Sequence, residues 1–217
     1  MPPPLTALDF FAGSGLVTQG LKPSFRVIWA NDICPKKQAV YAANFGAAHL
    51  DGRSIADIHG PDVPHASLAW GSFPCQDLSL AGDMRGMDGG TRSSLYYEWL
   101  RVIREMEPHR RPPVLCVENV VGFLVAGRGK PFAAAYRALK DLGYAAGALV
   151  IDAVHFVPQS RPRAFLVAAA QDIPLHGLTL QSPDPAYHTK AVLTACAAAA
   201  DNAWIWWRLP PPPRLKQ

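Results

Sequence analysis

Charged residues and cysteines are scarce in this sequence, and each shortage argues against a class of protein. Charged residues make up 18% of the 217 positions and hydrophobic residues 49%, which is a globular rather than a disordered composition. No CxxC pair is present, and no histidines accompany the cysteines at zinc spacing. We therefore expect neither a metal site nor a disulfide framework. The four cysteines are scattered along the chain: Cys34, Cys75, Cys116 and Cys196.

Long apolar runs and a phosphate-gripping loop are missing as well. No stretch approaches the ~20 apolar residues that cross a bilayer, and a strand-like run begins at Leu5, which leaves no room for a signal peptide. We therefore expect a soluble, cytoplasmic protein without a membrane partner. The motif G-x-x-x-x-G-K-[ST] of P-loop proteins is absent. The net charge of +4 favours an anionic partner only weakly, because many soluble proteins are equally basic.

What the sequence does contain is an alternation of strand-like and helix-like segments. Short apolar runs predict strands, and 3.6-residue periodicity with proline and glycine stops predicts helices. This alternation predicts an α/β domain with a mainly parallel sheet. The predicted strands are 5–10, 26–30, 67–71, 114–117, 147–152 and 164–170, and the predicted helices are 35–45, 93–107 and 131–142.

Polar and reactive residues gather where these predicted strands end. Asp9, Asp32, Cys75 and Glu118 all lie at or just past the carboxyl end of a strand. Ligands bind at that edge of an open parallel sheet. The shared position therefore predicts a single candidate site.

The first motif of this site is DFFAGSG at positions 9–15. Its glycines let the backbone approach a ligand closely, and the following helix offers unpaired N–H groups. An ordinary tight turn would look similar. Asp32 strengthens the ligand interpretation, because a carboxylate at the end of the next strand can accept both ribose hydroxyls of a nucleoside cofactor.

Three further motifs carry reactive or charged groups. Cys75 follows a proline in a polar loop, which favours an outward thiol over the usual buried one. Glu118 ends a buried strand, where a carboxyl group is costly unless it is paired or catalytic. Arg161 and Arg163 share one loop, for which a solvated basic surface is the alternative.

In chain order, the motifs DFFAGSG, FPCQ, ENV and QSRPR resemble motifs I, IV, VI and VIII of the cytosine-C5 DNA methyltransferases. The resemblance runs from about Leu5 to Ala170. It implies the Rossmann-like fold of S-adenosylmethionine-dependent methyltransferases, with a mainly parallel sheet flanked by helices. It also implies S-adenosyl-L-methionine as cofactor, DNA as partner, a nucleoid-associated location and a place in restriction-modification.

The resemblance assigns a role to each motif. The Cys75 thiolate adds to C6 of a flipped cytosine, Glu118 holds ring N3 and the exocyclic amine, Arg163 reaches O2, and Arg161 supports Cys75. Substrate contacts are implied for Gln76, Ser79 and Asn119. Cofactor contacts are implied for Phe10, Gly13, Ser14, Gly15, Asp32, Ile33, Ser54, Ile55, Pro74 and Leu95.

Two features depart from the family pattern. The family has Asp-Ile after the third strand where this sequence has Ser54-Ile55, so Asp57 is a possible substitute. Nothing after Ala170 resembles the recognition domain or motifs IX and X. We therefore expect a catalytic, cofactor-binding domain at 1–173, and at 174–217 either a tail that packs its tryptophans onto the domain or the truncated start of a target-recognition region.

Several explanations of that second departure stay open. The chain is one subunit of a split enzyme, in which a second polypeptide supplies recognition and motif X, or it is a truncated gene product. Two different functions stay open as well, a non-catalytic cofactor-binding module and a tRNA cytosine-C5 methyltransferase. The intact Cys75, Glu118 and Arg163 favour an enzyme that methylates cytosine C5 in DNA.

Overall fold

A computed structural model describes residues 4–74 and 95–212 of the chain. The strands are β1 (Leu5–Phe10), β2 (Phe25–Asn31), β3 (Leu50–Asp51), β4 (Leu68–Gly71), β5 (Val114–Val120), β6 (Tyr144–Asp152), β7 (Pro162–Ala170), β8 (Thr179–Leu180) and β9 (Trp206–Trp207). The helices are α1 (Leu16–Leu21), α2 (Pro35–Phe45), α3 (Leu95–Glu105), α4 (Gly122–Val125), α5 (Lys130–Asp141) and α6 (Lys190–Ala199).

Hydrogen bonds join seven of the described strands in the order β3-β2-β1-β4-β5-β7-β6, and β8 pairs with β9 separately. The β1–β2, β1–β4 and β2–β3 pairs are parallel, whereas β6 and β7 are antiparallel. The predicted Rossmann-like, mainly parallel sheet with flanking helices is therefore confirmed. Chain contacts divide the described residues into two compact units, 4–74 with 95–116 and 117–212.

The first unit contains β1 to β4 and α1 to α3, and its core is aromatic. Phe10, at the end of β1, packs its ring 4.7 Å from Trp29 and 6.3 Å from Trp99. Helix α3 buries one face, because its apolar residues recur at helical spacing. Each such fully buried side chain contributes roughly 1.5–3 kcal/mol.

The turn from β1 into α1 needs left-handed backbone at several positions. Gly13 and Gly15 have φ of +58° and +90°, a region that glycine occupies without steric cost. A Cβ on Gly15 would overlap the Phe45 ring, so this glycine is required by contact as well as by conformation. The sequence thereby fixes the path of the backbone next to Asp32.

The second unit is built on the antiparallel β6–β7 pair, with helices α4, α5 and α6. The register runs without interruption from Tyr144 opposite Ala170 to Asp152 opposite Pro162. Helix α5 ends at Asp141, and Gly143 follows with φ of +86°, which is the predicted glycine stop. None of the described helices is long and apolar enough to span a membrane.

Residues after 174 pack within the second unit. The Trp204 ring stacks on Tyr136 at 5.2 Å, the Ile205 amide donates to the Ala146 carbonyl, and Trp207 Nε1 donates to the Gly147 carbonyl. A Cβ on Gly147 would collide with the Ile205 backbone. These contacts hold aromatic side chains of residues 204–207 within the second unit. The boundary after residue 173 and the start of a recognition region stay predictions.

Candidate functional site

In the first unit, Asp32 is the most tightly held group of the predicted cofactor site. It follows β2, is 6% exposed, and accepts from the Gly13 amide at 2.9 Å and the Cys34 amide at 2.8 Å. Gln38 Nε2 donates to the Asp32 carbonyl at 2.7 Å. Each carboxylate oxygen thus uses one of its about two lone-pair sites and keeps one for a further donor. This arrangement fits a ribose with two neighbouring hydroxyls.

A buried chain of polar groups starts beside Asp32, at Asp9 of β1. Thr18 Oγ1 donates to Asp9 Oδ2 at 2.7 Å and lies 3.0 Å from the Tyr41 hydroxyl, which lies 3.0 Å from His49 Nε2. Burial raises the pKa of Asp9 to about 7, against the lowering effect of the Thr18 hydrogen bonds. Asp9 therefore titrates near neutral pH. The sequence indicated Asp9 as a candidate site residue but did not predict this series of hydrogen bonds.

In the second unit, Glu118 and Arg163 form the charged part of the predicted base pocket. Arg163 Nε lies 3.0 Å from Glu118 Oε1, and Arg163 also donates to the Pro162 carbonyl at 2.9 Å. The two side chains are 25% and 20% exposed, so the pair is partly open to a ligand. Such a pair presents an acceptor and a donor next to each other, which suits the edge of a pyrimidine ring.

Asp152 fixes the loop that carries Arg161 and leads into β7, which bears Arg163. Its Oδ1 accepts from the amides of Val154 at 3.1 Å and Arg161 at 2.6 Å, and its Oδ2 accepts from Ser160 Oγ at 2.8 Å. The Val154 amide, followed by Ser160 and Arg161, lowers the pKa of Asp152 against the opposing effect of desolvation. The carboxylate therefore closes the loop between β6 and β7 at the start of the strand that bears Arg163.

A family model for C-5 cytosine-specific DNA methylases matches residues 5–202, which is most of the chain. The chain belongs to this family.

Curated relatives of this methylase chain are type II methyltransferases. It is 30% identical over 167 residues to M.MspI of a Moraxella species, 33% over 173 residues to M2.BsuMI of Bacillus subtilis, and 26% over 181 residues to M.HhaI of Haemophilus parahaemolyticus. These matches cover 74%, 78% and 82% of the chain but 38%, 43% and 53% of the relatives. The chain thus spans about half or less of their length.

Solved structures agree on the fold. The S. pombe Dnmt2 methyltransferase aligns with a TM-score of 0.64 at 22% identity, covering 78% of this chain and 52% of that one. A DNA modification methyltransferase from an Escherichia coli prophage, described as putative, aligns with a TM-score of 0.62 at 21% identity, covering 83% and 52%. At these identities the likeness establishes the methylase fold alone.

One cofactor prediction for this methylase chain needs correction. Phe10 was expected to contact the cofactor, but its side chain is fully buried between Trp29 and Trp99 and faces the core. The next residue, Phe11, is half-buried in a left-handed conformation with φ of +60° at the turn. Phe11 is therefore the better candidate, and its position directly before Ala-Gly in the motif was the available signal.

The remaining cofactor predictions fall into two groups by accessibility. Ile33 is 64% exposed beside Asp32, and Ser14 and Pro74 are exposed. Gly15 and Ile55 are buried, and Leu95, at the start of α3, is half-buried. Their roles stay predictions.

Ser54, which replaces the aspartate of the family pattern, already takes part in a hydrogen bond within the chain. Ser54 Oγ accepts from the Ala56 amide at 3.3 Å and caps a 3-10 turn, so its hydroxyl is already engaged. Asp57, in the same turn, is exposed.

The substrate predictions are only partly within the described chain. Cys75, Gln76 and Ser79 lie outside the described residues. Asn119 is 5% exposed, and its Oδ1 accepts from the Val120 amide at 2.8 Å. Arg161 is exposed, and its backbone rather than its side chain is fixed by Asp152.

Proposed function

We propose that this chain transfers a methyl group from S-adenosylmethionine to C5 of cytosine in DNA through a covalent bond between Cys75 and C6. The observation that carries the proposal is the Glu118–Arg163 pair at the ends of β5 and β7, within a sequence that belongs to the C-5 cytosine-specific methylases. S-adenosylmethionine supplies an electrophilic methyl group. Asp32 holds its ribose, and Phe11 with Ile33 lines the adenosine side.

Each electron pair of the proposed reaction has a source and a destination. The Cys75 thiolate forms a bond to C6, and the C5–C6 electron pair makes C5 nucleophilic. Glu118 holds ring N3 and the exocyclic amine, while Arg163 donates to O2. C5 takes the methyl group as the bond from methyl to the sulfonium sulfur breaks, which leaves S-adenosylhomocysteine. A solvent base then removes the C5 proton, and the returning electron pair expels the Cys75 thiolate.

Positive charge near the nucleophile is the second requirement of this chemistry. A cysteine reacts as thiolate, and nearby guanidinium groups favour that form. Arg161 lies in the loop that Asp152 fixes, and Arg163 lies at the start of β7, so two guanidinium groups are available to supply positive charge. We propose that Arg161 acts on Cys75 and that Gln76, Ser79 and Asn119 contact the flipped nucleotide.

Sequence choice is the part of the function that these motifs do not provide. Base edges in the grooves carry the sequence information, and phosphate contacts alone give none. We propose that recognition comes from residues beyond the matched region, on the same protein or on a second polypeptide. The chain's coverage of 38–53% of its type II relatives supports this division.

Tritiated methyl transfer tests the proposal. The chain is incubated with labelled S-adenosylmethionine and either duplex DNA or tRNA, with and without the product of the neighbouring gene. Label at C5 of cytosine in DNA is expected, and Glu118→Gln should reduce it by at least ~100-fold. Label in tRNA alone would identify the chain as a tRNA cytosine-C5 methyltransferase. No label in any arm of the experiment would contradict the proposal.

A further inference from the structure

A cavity in the first unit, whose lining includes none of the predicted cofactor residues, is lined by two cations and no anion. Its volume is about 390 Å³, and its walls come from the end of α1, the start of β2 and the end of α2. The lining residues include Lys22 and Arg26 but no aspartate or glutamate. Neither cation has a carboxylate partner among the described residues. Two uncompensated cations at one cavity attract an anion.

The other lining residues of the cavity are a mixture of apolar residues and the polar Thr18, Asn44 and His49. Phe25, Val27 and Phe45 line it, and the Lys22 ammonium lies 4.7 Å from the centre of the Phe45 ring. Thr18 contributes little polarity, because its hydroxyl is already bonded to Asp9 and Tyr41. The volume lies at the lower end of the ~300–1,000 Å³ of small-molecule sites, so there is room for more than a bare phosphate.

We infer that this cavity binds a small phosphomonoester, with the phosphate between Lys22 and Arg26 and a flat apolar group against Phe25 and Phe45. A phosphate matches the two cations because it carries up to two charges and several acceptor oxygens. His49, half-buried on the wall, offers a further ring nitrogen.

The residues that line this cavity are not those proposed for methyl transfer. Its lining shares no residue with the motifs assigned to the cofactor or the base. His49 nevertheless ends the hydrogen-bond chain that begins at Asp9, so an occupant would touch a network that reaches the cofactor side of β1.

Phenyl phosphate is the probe that tests this site. Nitrogen-15 NMR of the full chain should show saturable shifts of the Lys22, Arg26, Phe45 and His49 amides. Inorganic phosphate and phenol should each bind more weakly, because each lacks half of the interaction. The double substitution Lys22→Gln with Arg26→Gln should weaken phenyl phosphate binding at least ~10-fold, since both charge-assisted contacts are lost.

The matched control removes the same charge elsewhere. Lys36→Gln with Lys37→Gln, on the exposed surface of α2, should change the affinity by less than about twofold, since exposed charges beyond the cavity are largely screened. S-adenosylhomocysteine should not displace the probe. Equal weakening by the control, displacement by S-adenosylhomocysteine, or shifts that do not saturate would overturn the inference. So would effective competition by a short DNA duplex at equal phosphate concentration, because the cavity would then serve the DNA backbone.

Discussion

Asp9 lies near the end of β1, and Asp32 lies just after the neighbouring strand β2. Both carboxyl groups are buried, but their hydrogen-bond partners differ. Asp32 accepts from two backbone amides, which suits a carboxylate. Asp9 accepts from the Thr18 hydroxyl, and its Oδ1 has no hydrogen-bond partner among the described residues. Their positions in the sequence look alike, so only the three-dimensional contacts distinguish Asp32, which we propose binds the cofactor, from Asp9.

Asp32→Ala should weaken binding of S-adenosylhomocysteine by roughly 1.5–3 kcal/mol, the range for a lost charge-assisted hydrogen bond. The Gly13 and Cys34 amides would also lose their acceptor, so thermal unfolding must show that the variant is folded. Calorimetry measures the affinity. Asp141→Ala, an exposed carboxylate at the end of α5, serves as the control. Unchanged affinity in Asp32→Ala would remove this residue from the site.

The stability of Asp9→Asn relative to the wild type should increase as pH rises. The pKa of Asp9 is raised in the folded state from 3.8 to about 7. In the wild type, the contribution of Asp9 to the free energy of unfolding is therefore most favourable below pH 4, and it is lost as pH rises towards 7. Between pH 5 and pH 8 the advantage of the variant should grow by about 2–3 kcal/mol, because one pKa unit corresponds to about 1.4 kcal/mol. Urea unfolding at the two pH values measures it.

Asp62→Asn is the matched control for that experiment. The His59 amide and Arg53 lower the pKa of Asp62, so any stability it contributes is lost only as pH falls through the acid range. Its difference from the wild type should therefore stay constant from pH 5 to pH 8. An Asp9→Asn difference that is equally constant would show that Asp9 is ionised at pH 5 in the folded state.

At the scale of elements, the loop between β6 and β7 links the register of the two strands to the residues proposed for catalysis. The nine-residue register of the two strands brings Asp152 opposite Pro162, and the carboxylate then gathers three donors from the connecting loop. Arg163 starts the return strand and reaches Glu118. Asp152 is thus a positioning residue, which acts through the backbone of Arg161.

Asp152→Ala should loosen this loop without unfolding the protein. Three hydrogen bonds of about 0.5–1.5 kcal/mol each are lost, so amide exchange of Val154 and Arg161 should accelerate and the free energy of unfolding should fall by about 1.5–4.5 kcal/mol. Methyl-transfer kcat should fall by at least ~10-fold, because displacement of a catalytic group by about 1 Å is costly, and KM for S-adenosylmethionine should hold.

Asp152→Asn is the conservative counterpart, since its amide oxygen can still accept from the Val154 and Arg161 amides. It should restore most of the kcat. If Asp152→Ala kept full kcat despite faster exchange, the loop would not need this carboxylate for catalysis.

Sequence patterns predicted the elements better than the contacts between them. The strand at 114–117 is predicted to stop before Glu118, but β5 continues to Val120, so Glu118 lies within the strand and pairs with Arg163. Phe10 and Phe11 are adjacent aromatic residues, and only the position of Phe11 directly before Ala-Gly distinguishes the turn ring from the core ring. The Asp152 contacts depend on strand register, which is a long-range property.

At the scale of the whole molecule, the chain carries the motifs of a cytosine-C5 methylase in two compact units. The first contains Asp32 and the second contains Glu118 and Arg163, each held by contacts within its own unit. The family match extends to residue 202 and so includes α6 after the predicted boundary at 173. The packing of Trp204 and Trp207 explains why the tryptophan-rich segment is retained with the second unit.

Covalent trapping on DNA that contains 5-fluorocytosine tests the central claim most directly, because fluorine at C5 blocks release of the thiolate. The protein is used in the form that is active in methyl transfer, with S-adenosylmethionine present. The account predicts a denaturant-resistant protein–DNA adduct that Cys75→Ser abolishes, whereas Cys34→Ser, Cys116→Ser and Cys196→Ser retain it. An adduct of undiminished yield with Cys75→Ser would contradict the account.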